Sequence, residues 1–235
     1  MKKEATITEP LKYPGLQTQP GEIEASGSAR QALRRFLRAQ FGRPSGLWGH
    51  VVGAIMALRS SNKERSRWTL SLLDIKPTDR LLEIGFGPGF AIEQASRLAT
   101  AGLVAGVDHS DVMVQQATRR NAGAMREGRV MLRLGSAADV PNFDQPFDKI
   151  YTINSIHFWE EPVECLKKLR ALLKPGGLIA VTLQPRSQSA TEASTRAIGD
   201  EVAEKLELAG FSQVRVEIKS LKPLPAACAI GVNLP

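Results

Sequence analysis

Cysteine is scarce: only Cys165 and Cys228 occur in 235 residues. Two thiols without motif spacing exclude a disulfide framework and a cysteine metal centre, and both read as buried free thiols. Histidine is limited to His50, His109 and His157. Long apolar runs are missing too, since the longest candidate, Val51 to Leu58, is far too short to cross a bilayer. The polar opening, Met1 to Glu24, contains Pro10, Pro14 and Pro20 and lacks the basic head, apolar middle and cleavage site of a secretory signal. A cytoplasmic location is therefore expected. No internal repeat is visible.

What is present is an ordinary globular composition, 43% hydrophobic and 23% charged, in a chain long enough for one large α/β domain with a small appendage. The net charge of +7 is local: Arg30 to Trp68 carries nine Lys or Arg against the single acid Glu64. Such a segment suits nucleic acid, an anionic membrane surface or an acidic substrate, but it reads first as a solvated helix face.

Proline and glycine make residues 1–28 a flexible arm. A helical cap segment follows over 29–74. Its expected helices are Ala29 to Phe41, stopped by Gly42 and Pro44, then Trp48 to Leu58 and Asn62 to Leu73. From 75 to 235 short apolar runs alternate with amphipathic segments, the pattern of a mostly parallel sheet with helices on both faces. Seven strands are expected: Leu81 to Ile84, Leu103 to Val107, Val130 to Leu134, Lys149 to Ile153, Leu178 to Leu183, Val214 to Ile218 and Ala226 to Val232. Helices fall near Phe90 to Leu98, Asp111 to Asn121, Pro162 to Leu173 and Ala193 to Ala209. The link before the last strand is too short for a helix, so that strand should return antiparallel.

The sharpest feature is Leu81-Leu82-Glu83-Ile84-Gly85-Phe86-Gly87-Pro88-Gly89, an apolar strand running into alternate glycines and then a helix. Glycines at the carboxyl edge of a parallel strand let backbone approach a ligand closely. Alone the loop is weak evidence. The second strand ends in Asp108, nineteen positions after Gly89, where a carboxylate can accept hydrogen bonds from both hydroxyls of a ribose. The pair points to an adenosine-type nucleoside, with an N-cap role for Asp108 as the alternative.

With these motifs the chain resembles the class I S-adenosylmethionine-dependent methyltransferases over nearly all of Arg80 to Val232. The Glu83-to-Gly89 loop looks like their first motif and Val107-Asp108 like the end of their second strand. Gly135-Ser136-Ala137 looks like their adenine loop, and Phe147-Asp148-Lys149-Ile150 like their fourth strand. Lys174-Pro175-Gly176-Gly177 matches the turn before their fifth strand, and Ala209-Gly210-Phe211 the entry to their sixth. The resemblance implies a Rossmann-like, doubly wound seven-stranded sheet with S-adenosyl-L-methionine as cofactor. It places Gly85, Phe86, Gly87, Pro88 and Gly89 around the methionine moiety with Glu83 near its ammonium, and puts Asp108 on the ribose. His109 would flank the ribose or adenine, Met113 would lie over the nucleoside or pack in the core, and Ser136, Ala137 and Asn154 would complete the cofactor site. Ser136 stands where many relatives carry an acid, so the adenine amine would lose a charge-assisted partner.

The end of the fourth strand, Asn154-Ser155-Ile156-His157-Phe158-Trp159, should open beside the reactive methyl. His157 is the candidate base for an acceptor that must shed a proton, or else a loop cap. Phe158 and Trp159 either wall an acceptor pocket or belong to the core. No Asn/Asp-Pro-Pro-aromatic run of base-amine methyltransferases is present, nor a Pro-Cys nucleophile. No Asp-Asn pair of the metal-dependent catechol enzymes is seen, so no metal is expected. A small organic acceptor remains, received under the helical segment around Trp48, which resembles the leader of some bacterial small-molecule methyltransferases. Flanking glycines would let it hinge, and its basic, apolar character also suits membrane-surface contact. A dinucleotide-dependent oxidoreductase fits the later motifs worse. An RNA methyltransferase guided by the basic segment and a non-catalytic nucleoside-binding scaffold are the other readings. The atom methylated and the oligomeric state carry no sequence signature.

Overall fold

The computed structural model describes residues 60–185, 190–222 and 224–235. The arm over 1–28, the expected helices Ala29 to Phe41 and Trp48 to Leu58, and Trp48 itself lie outside the described residues.

The first described helix, α1 (Ser60–Ser71), leads into strand β1 (Arg80–Ile84), helix α2 (Phe90–Leu98) and β2 (Leu103–Asp108). Then come α3 (Asp111–Arg120), a short α4 (Ala122–Arg126), β3 (Val130–Leu134) and β4 (Phe147–Ile153). A 3-10 turn, Ile156–Phe158, precedes α5 (Pro162–Ala171), β5 (Leu173–Leu183), α6 (Glu192–Leu208), β6 (Ser212–Lys219) and β7 (Ala226–Val232). All seven expected strands form. The short α4 and the 3-10 turn are additions to the expected elements, because neither is long enough to show a helical period.

The strands make one sheet in the order β3-β2-β1-β4-β5-β7-β6. The pairs from β3 through β5 are parallel, and β7 inserts antiparallel between β5 and β6. Central strands are mostly apolar because both faces are covered. Successive Cβ atoms point to opposite faces, which splits neighbouring residues between two cores. Leu82, Ile84, Val107, Ile150 and Val181 pack against α5 and α6 through Leu166, Leu169, Val202 and Leu206. Leu81, Val104, Tyr151, Ala180 and Ile230 pack on the other face with Leu70 and Leu73 and with Ala91, Ile92 and Ala95 of α2. Edge strand β6 alternates half-buried and exposed residues, with Arg215, Glu217 and Lys219 outward, which blunts edge-to-edge pairing.

The Lys174-Pro175-Gly176-Gly177 segment departs from expectation. It is not a turn ahead of β5 but lies within it, as an irregularity between the pairs Phe147↔Leu173 and Lys149↔Leu178. Gly176 takes a φ of 77°, and its N–H donates to the Asn233 carbonyl at 2.7 Å, while Asn233 N–H returns a bond to Gly177 at 2.8 Å. The extra residues are thus held by the end of the chain, a long-range partner that local turn chemistry could not reveal.

Chain order reverses direction across the sheet between β1 and β4, which are neighbours although β2 and β3 separate them in sequence. In an open α/β sheet the crevice at such a switch point, outside the carboxyl ends of the strands, is where ligands bind.

Candidate active site

At that switch point β1 ends in the glycine loop. Gly85 has a φ of 74°, and an added Cβ would meet Ser155 Cβ at 2.7 Å, so the loop after β4 is packed directly on this glycine. Gly87 also has positive φ, 54°, but a Cβ there would meet nothing within 4 Å. The first glycine is required by protein packing, while the second leaves open backbone that a ligand can approach.

Asp108, at the end of β2, is 5% exposed. Its Oδ2 accepts the Gly87 N–H at 2.8 Å and its Oδ1 accepts the Ser110 N–H at 2.9 Å. Each carboxylate oxygen has a second lone pair, so beside the His109 backbone contact acceptor capacity remains for ribose hydroxyls. Burial raises the pKa of Asp108, opposed by the Ser110 and Gly87 N–H groups and by His109. The N-cap of α3 is Ser110, whose hydroxyl accepts the Met113 N–H, so Asp108 itself is not the cap. His109 Nδ1 stands 3.8 Å from Asp108 Oδ1. Met113 is buried beneath this turn.

Glu83 lies one strand position before the loop and points to the α1–α2 face, beside its register partner Tyr151. It is 2% exposed. Burial pushes its carboxyl up to about 8; the Tyr151 hydroxyl draws it back in part and Asp108 adds to the rise. Although that hydroxyl faces the carboxyl, neither Glu83 Oε2 nor Tyr151 Oη completes a hydrogen bond of normal geometry among the described residues. A buried carboxylate oxygen without a donor is costly, and a cationic ligand group would relieve it.

A cavity of about 80 Å³ lies at the glycine loop, lined by Glu83, Gly85, Phe86, Gly87, Pro88 and Phe90 and by Asn62, Arg65 and Ser66 of α1; Asp108 is not in its lining and reaches the loop through the Gly87 N–H. Phe86 is otherwise a core residue of the α2 face, and Gly89 caps α2 in the left-handed region. Ser136 is exposed, its Oγ accepting the Asp139 N–H at 3.1 Å, while Ala137 is buried in the core.

Beyond β4 the chain turns at Asn154, which has a φ of 55°. Asn154 N–H donates to the Thr182 carbonyl at 2.8 Å, and its Oδ1 accepts the Gln184 N–H at 2.8 Å, tying the ends of β4 and β5 together. His157 follows on the 3-10 turn, exposed, with its ring 4.0 Å from that of Phe158. Trp159 Nε1 donates to Ser155 Oγ at 3.1 Å. A second cavity, of about 400 Å³, opens here between Ile156, His157, Trp159, Leu183 and Gln184 on one side and Ile198, Glu201, Val202 and Lys205 of α6 on the other. Phe158 is not among its lining residues.

Sequence reasoning misses Asn62, Arg65, Tyr151 and Gln184. Gln184 directly follows the carboxyl end of β5, a position that itself marks ligand contact in this architecture. Arg65 belongs to a basic stretch that reads as a solvated face.

A seven-stranded sheet with this switch point, glycine loop and strand-end acid defines a nucleoside-binding α/β fold, and comparison with known proteins specifies it. The methyltransferase domain family matches residues 81–177. The uncharacterised methyltransferase YdaC of Bacillus subtilis (strain 168) is 31% identical over 179 residues, covering 76% of this chain and 96% of that protein. The 27-O-demethylrifamycin SV methyltransferase of Amycolatopsis mediterranei (strain S699) is 32% identical over 112 residues, 47% of this chain and 40% of that protein. A SAM-dependent methyltransferase from Aquifex aeolicus shares the fold with a TM-score of 0.61 at 20% identity, over 75% of this chain and 94% of that one. The chain belongs to the class I S-adenosylmethionine-dependent methyltransferases.

Cofactor use by this class can be tested against the residues present. A donorless Glu83 oxygen, the open side of Gly87 and the remaining acceptor capacity of Asp108 suit the ammonium, the sulfonium-bearing chain and the ribose of S-adenosylmethionine. The site fits the group.

Proposed function

We propose that this enzyme methylates a small, largely apolar organic acceptor held in the cavity between the 3-10 turn and α6. The observation that carries the proposal is the cavity itself: about 400 Å³, with Ile156, Trp159, Leu183, Ile198 and Val202 as apolar wall and His157, Gln184, Glu201 and Lys205 as its polar groups. That size and balance are typical of small-molecule pockets. Gln184 forms part of this wall and also accepts from Arg65 of the glycine-loop cavity, so the two spaces meet at one side chain. The rifamycin enzyme named above is a small-molecule methyltransferase, which agrees with this reading.

The cofactor supplies a methyl already activated on a sulfonium, leaving the protein to align the acceptor and exclude water. Glu83, the glycine loop and Asp108 hold the donor, with Met113, Ser136 and Ala137 on its nucleoside side and Asn154 completing the cofactor site at the end of β4. Asn154 also joins the strands that carry the two cavities. His157, at the mouth of the larger cavity, receives the proton of an acceptor hydroxyl.

Two experiments test this. Methyl-tritiated S-adenosylmethionine incubated with cell extract and the protein should deliver label to organic-soluble small molecules. Label recovered in RNA instead would overturn the acceptor class. Once an acceptor is in hand, His157→Ala should lower turnover ~100-fold while leaving S-adenosylhomocysteine affinity unchanged. A loss of only a few-fold would mean that His157 is not the base and that positioning alone suffices.

A further inference from the structure

The cavity at the glycine loop is lined by one buried cation and one buried acid. Arg65 of α1 is 6% exposed despite its charge. Its Nη2 donates to Asn62 Oδ1 at 2.7 Å and its Nη1 donates to Gln184 Oε1, so two neutral carboxamides fix the plane of the guanidinium. Glu83 lines the same cavity, 2% exposed, with its Oε2 lacking a donor among the described residues. A fixed guanidinium and a donorless carboxyl oxygen in the wall of one cavity are complementary to a ligand that brings both opposite charges, as an α-amino acid does.

We propose that Arg65, positioned by Asn62 and Gln184, binds the α-carboxylate of the cofactor, with Glu83 taking the ammonium of the same amino-acid end. The inference rests on the cofactor reading above and extends it to a residue of the amino-terminal segment. A guanidinium offers a planar fork of donors that matches a carboxylate, and preorganisation by neighbouring amides keeps little rotamer freedom to be lost on binding. The fork need not be the strut joining α1 to β5, because Thr69 Oγ1 and Thr182 Oγ1, 2.8 Å apart, already make that link. Through Arg65, α1 recognises the cofactor as well as covering it.

The test is calorimetry on the full chain with three ligands: S-adenosylhomocysteine, its decarboxylated amine analogue, and methylthioadenosine, which lacks the whole amino-acid end. The wild type should prefer S-adenosylhomocysteine over the decarboxylated analogue by about 10-fold or more. Arg65→Gln should abolish that preference and leave methylthioadenosine binding within about 2-fold of wild type, while Arg65→Lys, keeping charge without the fork, falls between. Should Arg65→Gln not fold, the wild-type preference and the lysine variant still decide. No wild-type preference for the carboxylate overturns the proposal, as does an equal loss of S-adenosylhomocysteine and methylthioadenosine in Arg65→Gln, which would make the residue a strut. Failure of the wild type to bind any of the three overturns the cofactor reading itself and is distinguishable from both.

Discussion

Glu83→Gln is expected to stabilise the ligand-free protein by about 3 kcal/mol at pH 7 and at the same time weaken cofactor binding. Burial holds the carboxyl at about 8 in the folded protein against an ordinary 4.5. Between those values the unfolded chain ionises and the folded one does not. The stabilising contribution of the protonated side chain is therefore fully present below about 4.5 and is lost as pH rises through about 8. Glutamine does not ionise, and its amide can donate to the Tyr151 hydroxyl oxygen, so the loss disappears without a new buried orphan. Thermal melts of the wild type should fall steadily from pH 5 to pH 8, and those of the variant should fall much less, the remaining slope coming from Asp108, whose pKa burial also raises. The opposite effect on binding follows from the same charge: an ammonium beside Glu83 favours the carboxylate and drives off a proton. Calorimetry near pH 7 in buffers of different ionisation enthalpy should show that release in the wild type and none in the variant. A wild-type melt independent of pH would show that the carboxyl is not held protonated.

Asp108→Ala is expected to weaken S-adenosylhomocysteine binding by ~2 kcal/mol or more, about 30-fold. Two losses combine. The vicinal hydroxyls of the ribose lose a charged acceptor, and the Gly87 and Ser110 N–H groups, which Asp108 holds at 2.8 and 2.9 Å, lose theirs. The glycine loop then forfeits the tie that fixes it to β2. Asp108→Asn keeps one carbonyl oxygen for one of these donors, so it should retain more of the loop and lose the charge-assisted part of the ribose contact. Affinity unchanged in Asp108→Ala would remove Asp108 from the cofactor site. Global stability should change less than binding does, because Asp108 sits at the strand end rather than in either core.

Much of the sheet is legible in the sequence, and particular residues show why. Leu81, Leu82 and Ile84 are buried on both faces of a parallel strand, which leaves a short apolar run in the sequence broken only by Glu83. Phe90–Leu98 begins directly after a glycine that cannot continue a strand and carries its apolar residues on one side. Where the pattern misleads, the controlling contact lies far away in the chain. Leu173 carries no local mark as the start of β5, since Asn233 holds the irregular Lys174-to-Gly177 segment. Arg65 sits among Lys63, Glu64 and Arg67, and its neighbours in sequence look solvated.

The order of strands and helices, the glycine loop and the acid ending β2 are properties of the sequence alone, because each is written in residues adjacent in the chain: apolar runs, positive-φ turns and strand termini. Tertiary structure decided the rest. Arg65 meets Gln184 across 119 positions, and Glu83 meets Tyr151 through the parallel pairing of β1 with β4. The cavity beneath α6 exists only once Val202 faces the 3-10 turn. Burial of a charge, and the ionisation that follows from it, depends on what the fold brings around the side chain, and no local pattern records that.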